Sequence, residues 1–156
     1  MPDKRQRVTT CLWFDDQAEA AATFYTSLFD DSRITAVSRQ PDGRALMVVF
    51  ELGGVEFQGL NGGPVFQLSE ACSLSVICDT QSEIDRLWAA LVADGGEESR
   101  CGWLKDRFGL SWQIVPSTLG AMMTDPDPDR VGRVAAAFMS MKKFDLAALE
   151  AAFRAK

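Results

Sequence analysis

The sequence predicts an α+β fold in which two βαβββ modules form a cup-shaped sheet and a helical extension follows at the C-terminus. Two internal repeats carry this prediction. Residues 15–19 match residues 79–83, 64 positions later, and each copy follows an apolar strand-like run and opens an amphipathic helix. Residues 54–58 and 109–113 share the pattern Gly, two residues, aromatic, Gln, 55 positions apart. Repeats at fixed spacing indicate a duplicated structural unit.

The first module is predicted over about residues 8–61. Its helix is expected at residues 17–29, with Asp16 as N-cap and Glu19 three positions later, as in a capping box. Turn signals separate its later strands, which are rich in β-branched and apolar residues. The predicted strands are residues 8–14, 33–39, 45–52 and 55–60.

The second module is predicted over about residues 71–116. Thr80 and Glu83 should begin a helix at residues 81–94, which Gly95 and Gly96 end. The predicted strands are residues 72–78, about 97–104, about 105–108 and 110–115. Helices capped by Asp127 and Asp145 are expected within residues 117–155, and we expect the whole chain, residues 1–156, to form one domain.

Strand alternation assigns a face to each side chain, because successive residues point to opposite sides of a sheet. The side chains expected on the helix side of the first strand are Val8, Thr10, Leu12 and Phe14. Thr9, Cys11 and Trp13 then lie on the opposite, concave side. In the second copy of the repeat, the equivalent residues are Ser73, Ser75 and Ile77. The same alternation predicts that Gln58 and Gln113 point to the concave side.

Composition excludes several functional classes. The net charge of −6 and the pI of about 4.6 oppose nucleic-acid binding, which needs clustered Lys and Arg. No apolar run is long enough for a membrane span or a signal-peptide core, so a cytoplasmic protein is expected. The chain has no histidine, and its four cysteines form no Cys-x-x-Cys pair. Nucleophile mechanisms that use a histidine base are therefore excluded.

Longer motifs resemble a known family. These motifs are Cys11-Leu12-Trp13-Phe14, Phe24-Tyr25, Leu60-Asn61-Gly62-Gly63-Pro64, the block of residues 101–113 and residues 141–145. With them the chain resembles the PhnB-like branch, also labelled 3-demethylubiquinone 3-methyltransferase-like, of the vicinal-oxygen-chelate superfamily. That superfamily includes glyoxalases, bleomycin-resistance proteins and extradiol dioxygenases. The resemblance implies paired βαβββ modules and, in many relatives, a homodimer.

The resemblance also implies where a metal would bind. Metal-dependent relatives use four inward positions, which fall here on Thr9, Gln58, Ser73 and Gln113. None is histidine or a carboxylate, and neutral oxygens compensate poorly for dehydrating a transition-metal ion. We therefore expect no metal and no cofactor. A methyl-donor site is not expected either, because no glycine-rich strand-turn-helix is present.

Several further residues are candidates for a catalytic or ligand-binding role. Glu56 is the carboxylate best placed to act as an acid or base, and Cys11 is either a nucleophile or, more simply, a buried inert thiol. Residues 105–107 form a solvated hairpin edge, or Lys105 or Arg107 anchors an anionic substrate at the rim. Gln58 and Gln113 either contact a ligand or only line the cavity, and Trp13 and Trp103 either stack on a ligand or belong to the core. Asn61 either shapes a turn or presents its amide to the cavity. The full set of expected cavity residues is Thr9, Cys11, Trp13, Gln58, Asn61, Ser73, Ser75, Trp103 and Gln113.

Together these features predict a metal-free protein that binds or sequesters a small molecule. The alternative is an enzyme, a lyase, dioxygenase or other glyoxalase-superfamily catalyst, that acts on a small hydrophobic or aromatic substrate. Met-rich helices near the C-terminus are compatible with a homodimer. No nucleic acid or membrane is expected as a partner.

Overall fold

A computed structural model describes residues 6–156 of the chain. These residues divide after Leu68 into two compact units, an N-terminal unit 1 and a C-terminal unit 2, which begins at Ser69. Each unit contains one βαβββ module, and unit 2 also contains the C-terminal helices.

Unit 1 is a four-stranded mixed sheet covered on one face by a helix. Its elements are β1 (Thr10–Phe14), α1 (Ala18–Leu28), β2 (Arg33–Arg39), β3 (Ala45–Leu52) and β4 (Val55–Asn61). The strand order is β1-β4-β3-β2, with β1 parallel to β4 and the other pairs antiparallel. The first and last strands of the module are thus neighbours in the sheet.

The core of unit 1 lies between α1 and this sheet. Small residues of α1 are fully buried, and Tyr25 lies next to Phe50 of β3, with ring centroids 6.3 Å apart. Leu12 and Phe14 are buried as predicted. The same expectation for Val8 and Thr10 is wrong, because both are exposed and β1 begins only at Thr10.

The start of α1 is capped differently from the prediction. Asp16 does not cap the helix; Gln17 takes the N-cap position and makes no side-chain cap bond. The amide of Asn61 at the end of β4 replaces the cap, since Asn61 Oδ1 accepts from the backbone N–H of Ala18 at 2.8 Å. The parallel pairing places Asn61 opposite Phe14, beside the strand end from which α1 departs. A distant residue can therefore satisfy a free N–H of the first turn.

Unit 2 repeats this topology. Its module consists of β5 (Ser73–Cys78), α2 (Gln81–Val92), β6 (Glu97–Glu98), β7 (Trp103–Lys105) and β8 (Ser111–Pro116). The strand order is β5-β8-β7-β6, and β5 runs parallel to β8. The predicted cap of α2 is confirmed, because Thr80 Oγ1 accepts from Glu83 N at 3.2 Å.

The predicted strand at residues 105–108 is wrong beyond Lys105, the last residue of β7, because a turn built on Asp106 follows it. This side chain is buried, and its Oδ1 accepts from the backbone N–H groups of Phe108 and Leu110 at 2.8 and 3.1 Å. Its Oδ2 accepts from Trp112 Nε1 at 2.8 Å. A buried carboxylate needs such donors to offset its lost hydration. Asp106 thereby fixes the connection between β7 and β8.

The C-terminal helices form their own apolar cluster within unit 2. They are α3 (Leu119–Met123), α4 (Pro128–Met139) and α5 (Leu146–Arg154). The predicted caps Asp127 and Asp145 are both confirmed. The buried residues of the cluster are Met122, Val134, Phe144 and Leu149. These helices contribute a small core separate from the one between α2 and its sheet.

Two sets of hydrogen bonds attach this extension to the module of unit 2. The side chain of Gln81 in α2 donates to Phe144 O at 3.0 Å and accepts from Leu146 N at 2.8 Å, which supports the first turn of α5. The backbone N–H groups of Cys101 and Gly102 donate to the carbonyls of Met141 and Lys142. The extension is therefore bound to both α2 and the segment before β7.

The element order confirms the predicted fold class, an α+β chain of two βαβββ modules with a helical C-terminal region. The cup-shaped arrangement of the sheets stays a prediction. Within residues 6–156, no helix combines the length and the apolar character that crossing a membrane requires.

Gly102 provides a test of how the C-terminal extension packs. It has a φ of +79°, and a Cβ added there would overlap the ring of Phe144. We expect Gly102→Ala to lower the free energy of unfolding by about 1–3 kcal/mol or more, through overpacking and backbone strain. Urea unfolding followed by tryptophan fluorescence measures this change.

Gly132 in α4 is the matched control. A Cβ there meets no atom within 4 Å, so Gly132→Ala should be neutral or stabilising by up to about 1 kcal/mol. Equal stability of Gly102→Ala and the wild type would contradict the packing described for Phe144.

Candidate functional site

The face of the unit 1 sheet opposite α1 presents two rows of side chains. Residues that pair across neighbouring strands point to the same side. In the first row Cys11 of β1 pairs with Gln58 of β4, which pairs with Val49 of β3. In the second row Glu56 pairs with Glu51, and the Thr9 hydroxyl, just before β1, donates to Glu56 Oε1 at 3.4 Å. The predicted set Thr9, Cys11, Trp13 and Gln58 therefore shares one face.

The corresponding face of unit 2 repeats both rows. In the first row Ser75 of β5 pairs with Gln113 of β8, which pairs with Trp103 of β7. In the second row Ser73 pairs with Ser111, which pairs with Lys105. The predicted Ser73, Ser75, Trp103 and Gln113 thus also share one face. It stays a prediction that these residues line one cavity and bind a ligand.

Equivalent positions in the two units carry different chemistry. The register makes Gln58 equivalent to Gln113, and Cys11 equivalent to Ser75. In the second row, however, Glu56 is replaced by Ser111. Glu51 is replaced by Lys105, so the sign of the charge reverses. At these positions β3 and β4 of unit 1 therefore carry two carboxylates, whereas β7 and β8 of unit 2 carry a lysine and a hydroxyl.

The four positions expected from the sequence resemblance to be those of metal ligands, Thr9, Gln58, Ser73 and Gln113, carry only hydroxyl and amide groups. Two of them bond to each other in unit 2, where Gln113 Nε2 donates to Ser73 Oγ at 2.9 Å. Thr9 bonds to Glu56 rather than to Gln58. Among residues 6–156, no group of three or more His, Cys, Asp or Glu side chains is placed to hold a metal ion. This donor set does not fit a divalent transition metal, which is normally bound by imidazole, thiolate or carboxylate.

Trp13 forms an aromatic wall in unit 1. Its indole N–H donates to Gly63 O at 2.9 Å, and its ring lies edge-on to Phe66, with centroids 5.0 Å apart. A Cβ at Gly62 would overlap this ring, so only glycine lets the chain pass so close. Val65 and Phe66 are 74% and 62% exposed. This side of unit 1 therefore presents apolar surface to solvent.

The interpretation of Cys11 as a buried thiol is wrong, because Cys11 is exposed. Its face is not covered by α1, the helix of unit 1, which packs on the other side of the sheet. Partial desolvation still raises its pKa above the ordinary value of 9.0. A raised pKa leaves little thiolate at neutral pH, so this environment does not activate Cys11 as a nucleophile.

Asn61 lies away from the face on which it was predicted. Strand alternation puts it on the α1 side, where it caps α1 and donates from Nδ2 to Ala45 O at 3.0 Å. It borders a separate open pocket of about 700 Å³. Arg39 on the wall of that pocket is paired with Glu19 at 2.7 Å. The pocket thus differs from the face that carries Gln58.

Lys105 and Ser111 border a small cavity of about 140 Å³ in unit 2. Lys105 Nζ forms an ion pair with Glu70 Oε1 at 2.6 Å. The expectation that residues 105–107 form a solvated edge is wrong for Asp106, which is buried. Sequence reasoning missed Ser111 as a site residue. Its position beside Gln113 on β8 and opposite Ser73 could have indicated it.

The duplicated mixed sheets and their helices define the class: this is a glyoxalase-fold double module. The fosfomycin resistance protein FosX from Listeria monocytogenes has a similar fold, with a TM-score of 0.58 at 13% identity; the match covers 79% of this chain and 100% of FosX. A family model described as 3-demethylubiquinone-9 3-methyltransferase matches residues 6–115. The chain therefore belongs to this PhnB-like family.

Solved structures agree with this family. A PhnB protein from Bacillus cereus is 35% identical, with a TM-score of 0.68; the match covers 72% of this chain and all of that protein. A protein from Pseudomonas aeruginosa is 20% identical, with a TM-score of 0.60, and the match covers 72% of this chain and 98% of that one. Among curated proteins none matches the sequence. The family model ends at residue 115, before the C-terminal helices begin.

Thiol labelling tests the exposure of the cysteines. At neutral pH, iodoacetamide should label exposed Cys11 and Cys72 in the folded protein and spare Cys78. Cys78 is buried, and desolvation raises its pKa to about 11, which suppresses the reactive thiolate. Mass spectrometry of peptides reads out each site, and the urea-unfolded protein, labelled at all four cysteines, is the control. Labelling of Cys78 as fast as Cys72 would contradict the described packing.

Proposed function

We propose that this PhnB-like protein binds or sequesters a small molecule and does so without a metal ion. One observation supports this most directly. Equivalent register positions in the two units carry uncharged polar pairs, Cys11 with Gln58 and Ser75 with Gln113. Aromatic Trp13 and Trp103 lie on the same faces. A few polar groups beside flat apolar surface are typical of small-molecule sites.

The side chains at the four expected metal positions support ligand binding without a metal ion. Glyoxalase, epimerase and dioxygenase chemistry in metal-dependent relatives relies on a Lewis acid. The positions that would bind it are Thr9, Gln58, Ser73 and Gln113, and their side chains cannot neutralise a divalent cation. The Ser73–Gln113 hydrogen bond also uses two of these groups on each other.

The methyltransferase activity named in the family's description is not part of the proposed function. A methyl donor of the S-adenosylmethionine type is typically held by a glycine-rich turn after the first strand of a doubly wound sheet. In this chain β1 leads to α1 through Asp15-Asp16-Gln17, which contains no glycine. Each sheet has one parallel strand pair and two antiparallel pairs.

The second candidate is a metal-independent enzyme that acts on a small hydrophobic or aromatic substrate. Glu56 favours it, because this half-buried carboxylate shares a face with Gln58 and accepts from Thr9. A carboxylate so placed can act as a general base. Cys11 is the weaker catalytic candidate because its pKa is raised.

A homodimer and a cytoplasmic location complete the proposal. The amphipathic helix α4 leaves Met139 62% exposed, which is compatible with a partner surface. The acidic composition and the lack of a long apolar run support a cytoplasmic location.

A thermal-shift screen of small aromatic, quinone-like and thiol compounds tests binding. A true ligand at 100 times its Kd should stabilise the protein by ~2.7 kcal/mol. Gln58→Leu should weaken that hit by about tenfold, because a polar contact would be lost. Gln17→Leu, the same change at an exposed position before α1, should not weaken it.

The same hit separates the two candidate functions. Saturable binding without turnover supports the binding protein, whereas turnover that Glu56→Gln abolishes supports the enzyme. A broad screen with no stabilising compound, or hits that bind Gln58→Leu normally, would refute a site on this face.

Elemental analysis tests the metal-free part. Protein purified without added metal should contain zinc, nickel, manganese and iron only far below one atom per chain. Added metals should not raise the melting temperature, because the donor set offers no charged ligand. One tightly bound metal atom per chain, lost in a Gln58→Leu or Gln113→Leu variant, would overturn this proposal.

A further inference from the structure

The second row of unit 2 differs in charge from the second row of unit 1. In unit 1, Glu56 lies opposite Glu51 and accepts a hydrogen bond from the Thr9 hydroxyl. At the equivalent place unit 2 has Ser111 opposite Lys105. Unit 2 therefore lacks the carboxylate that unit 1 supplies and carries a cation beside that position.

Ser111 gives the second observation. Its side chain is 1% exposed, and its Oγ has no hydrogen-bond partner. The nearby side chain of Gln113 forms no hydrogen bond with this hydroxyl, because Gln113 Nε2 donates to Ser73 Oγ. Buried hydroxyl groups in native proteins are normally hydrogen-bonded, so the Ser111 hydroxyl on this cavity wall is available to a partner that enters the cavity.

Lys105 already holds a carboxylate in this cavity. Its partner Glu70 lies outside the strands, just before β5, and its side chain is 65% exposed, whereas that of Lys105 is 33% exposed. Hydrogen bonding to Glu70 raises the pKa of Lys105 and lowers that of Glu70, so both are charged at neutral pH. An exposed loop carboxylate can be displaced at little cost, because such ion pairs contribute little net stability.

The other acidic residues of the cavity have defined positions. Glu98 accepts from Trp88 Nε1 at 2.8 Å and pairs with Lys142 at 3.3 Å. Glu97 lies opposite Lys105 in the β6–β7 pair. When a ligand carboxylate displaces Glu70, Lys105 Nζ still contacts one carboxylate, as it does in the Glu70 ion pair. Half-buried Trp103 borders the same cavity.

We propose that unit 2 binds the carboxylate of a small aromatic or apolar acid, with Lys105 Nζ and Ser111 Oγ as donors and the flat part of the ligand against Trp103. In the ligand-free protein the Glu70 carboxylate takes the place of the ligand's. The cavity, about 140 Å³, is smaller than the ~300–1,000 Å³ of drug-sized sites, so it suits a small acid or one end of a larger one. This inference names the ligand class and rests on the proposed small-molecule binding.

Benzoate and its neutral isostere benzamide test the inference by titration of ¹⁵N-labelled protein. Benzoate should shift the amide resonances of Trp103, Lys105 and Ser111, whereas benzamide should not. Lys105→Gln should weaken benzoate binding by at least about tenfold, because the charge-assisted contact is lost. Glu70→Gln should tighten it about two- to fivefold, since one competing surface ion pair is removed.

Ser111→Ala separates a binding role from a structural one. Removal of an unpartnered buried hydroxyl should leave stability unchanged or raise it, yet it should weaken benzoate binding. Arg154→Gln is the control, because the ion pair of Arg154 with Glu150 in α5 lies outside this cavity, and it should leave benzoate affinity unchanged.

Equal binding of benzoate and benzamide, or benzoate affinity insensitive to both Lys105→Gln and Glu70→Gln, would overturn the carboxylate site. Neutral hits from the thermal-shift screen that depend on Gln58 would still stand in that case. Failure of this inference is therefore distinguishable from failure of the proposed function.

Discussion

The parallel pairing of the first and last strand in each module is the constraint on which the rest of this protein depends. It places Cys11 beside Gln58 and Ser75 beside Gln113 in the same register. A shift by one residue would turn every side chain of a strand to the other face, so the buried set that includes Leu12 and Phe14 also fixes where the polar set points. Hydrophobic packing on one side of each sheet thus determines the chemistry on the other.

Buried polar groups secure this register at the points where the backbone leaves the sheet. Asn61 caps α1 from the end of β4. Asp106 organises the β7–β8 turn with three hydrogen bonds. Both groups satisfy N–H donors that would otherwise be buried without partners, and each is specific to its own module. The duplicated framework therefore tolerates different local solutions in its two copies.

Divergence between the copies is most pronounced in the rows that face away from the helices. Glu51 and Glu56 in unit 1 correspond to Lys105 and Ser111 in unit 2. Glu51 pairs with Arg33 at 3.2 Å and Lys105 pairs with Glu70 at 2.6 Å, in each case within the same unit. The first rows remain more alike, because Gln58 and Gln113 are identical and Cys11 and Ser75 are both uncharged.

The sequence by itself determined the fold class, the two modules, most helix and strand positions and the face shared by Thr9, Cys11, Trp13 and Gln58, because these follow from local periodicity and an internal repeat. Tertiary structure decided what depends on distant neighbours. Asn61 capping α1, Asp106 buried in a predicted strand and Cys11 exposed rather than buried all arise from contacts or openings that no local pattern records. The unpartnered hydroxyl of Ser111 beside Lys105 belongs to the same group, since burial and hydrogen bonding are set only when strands meet.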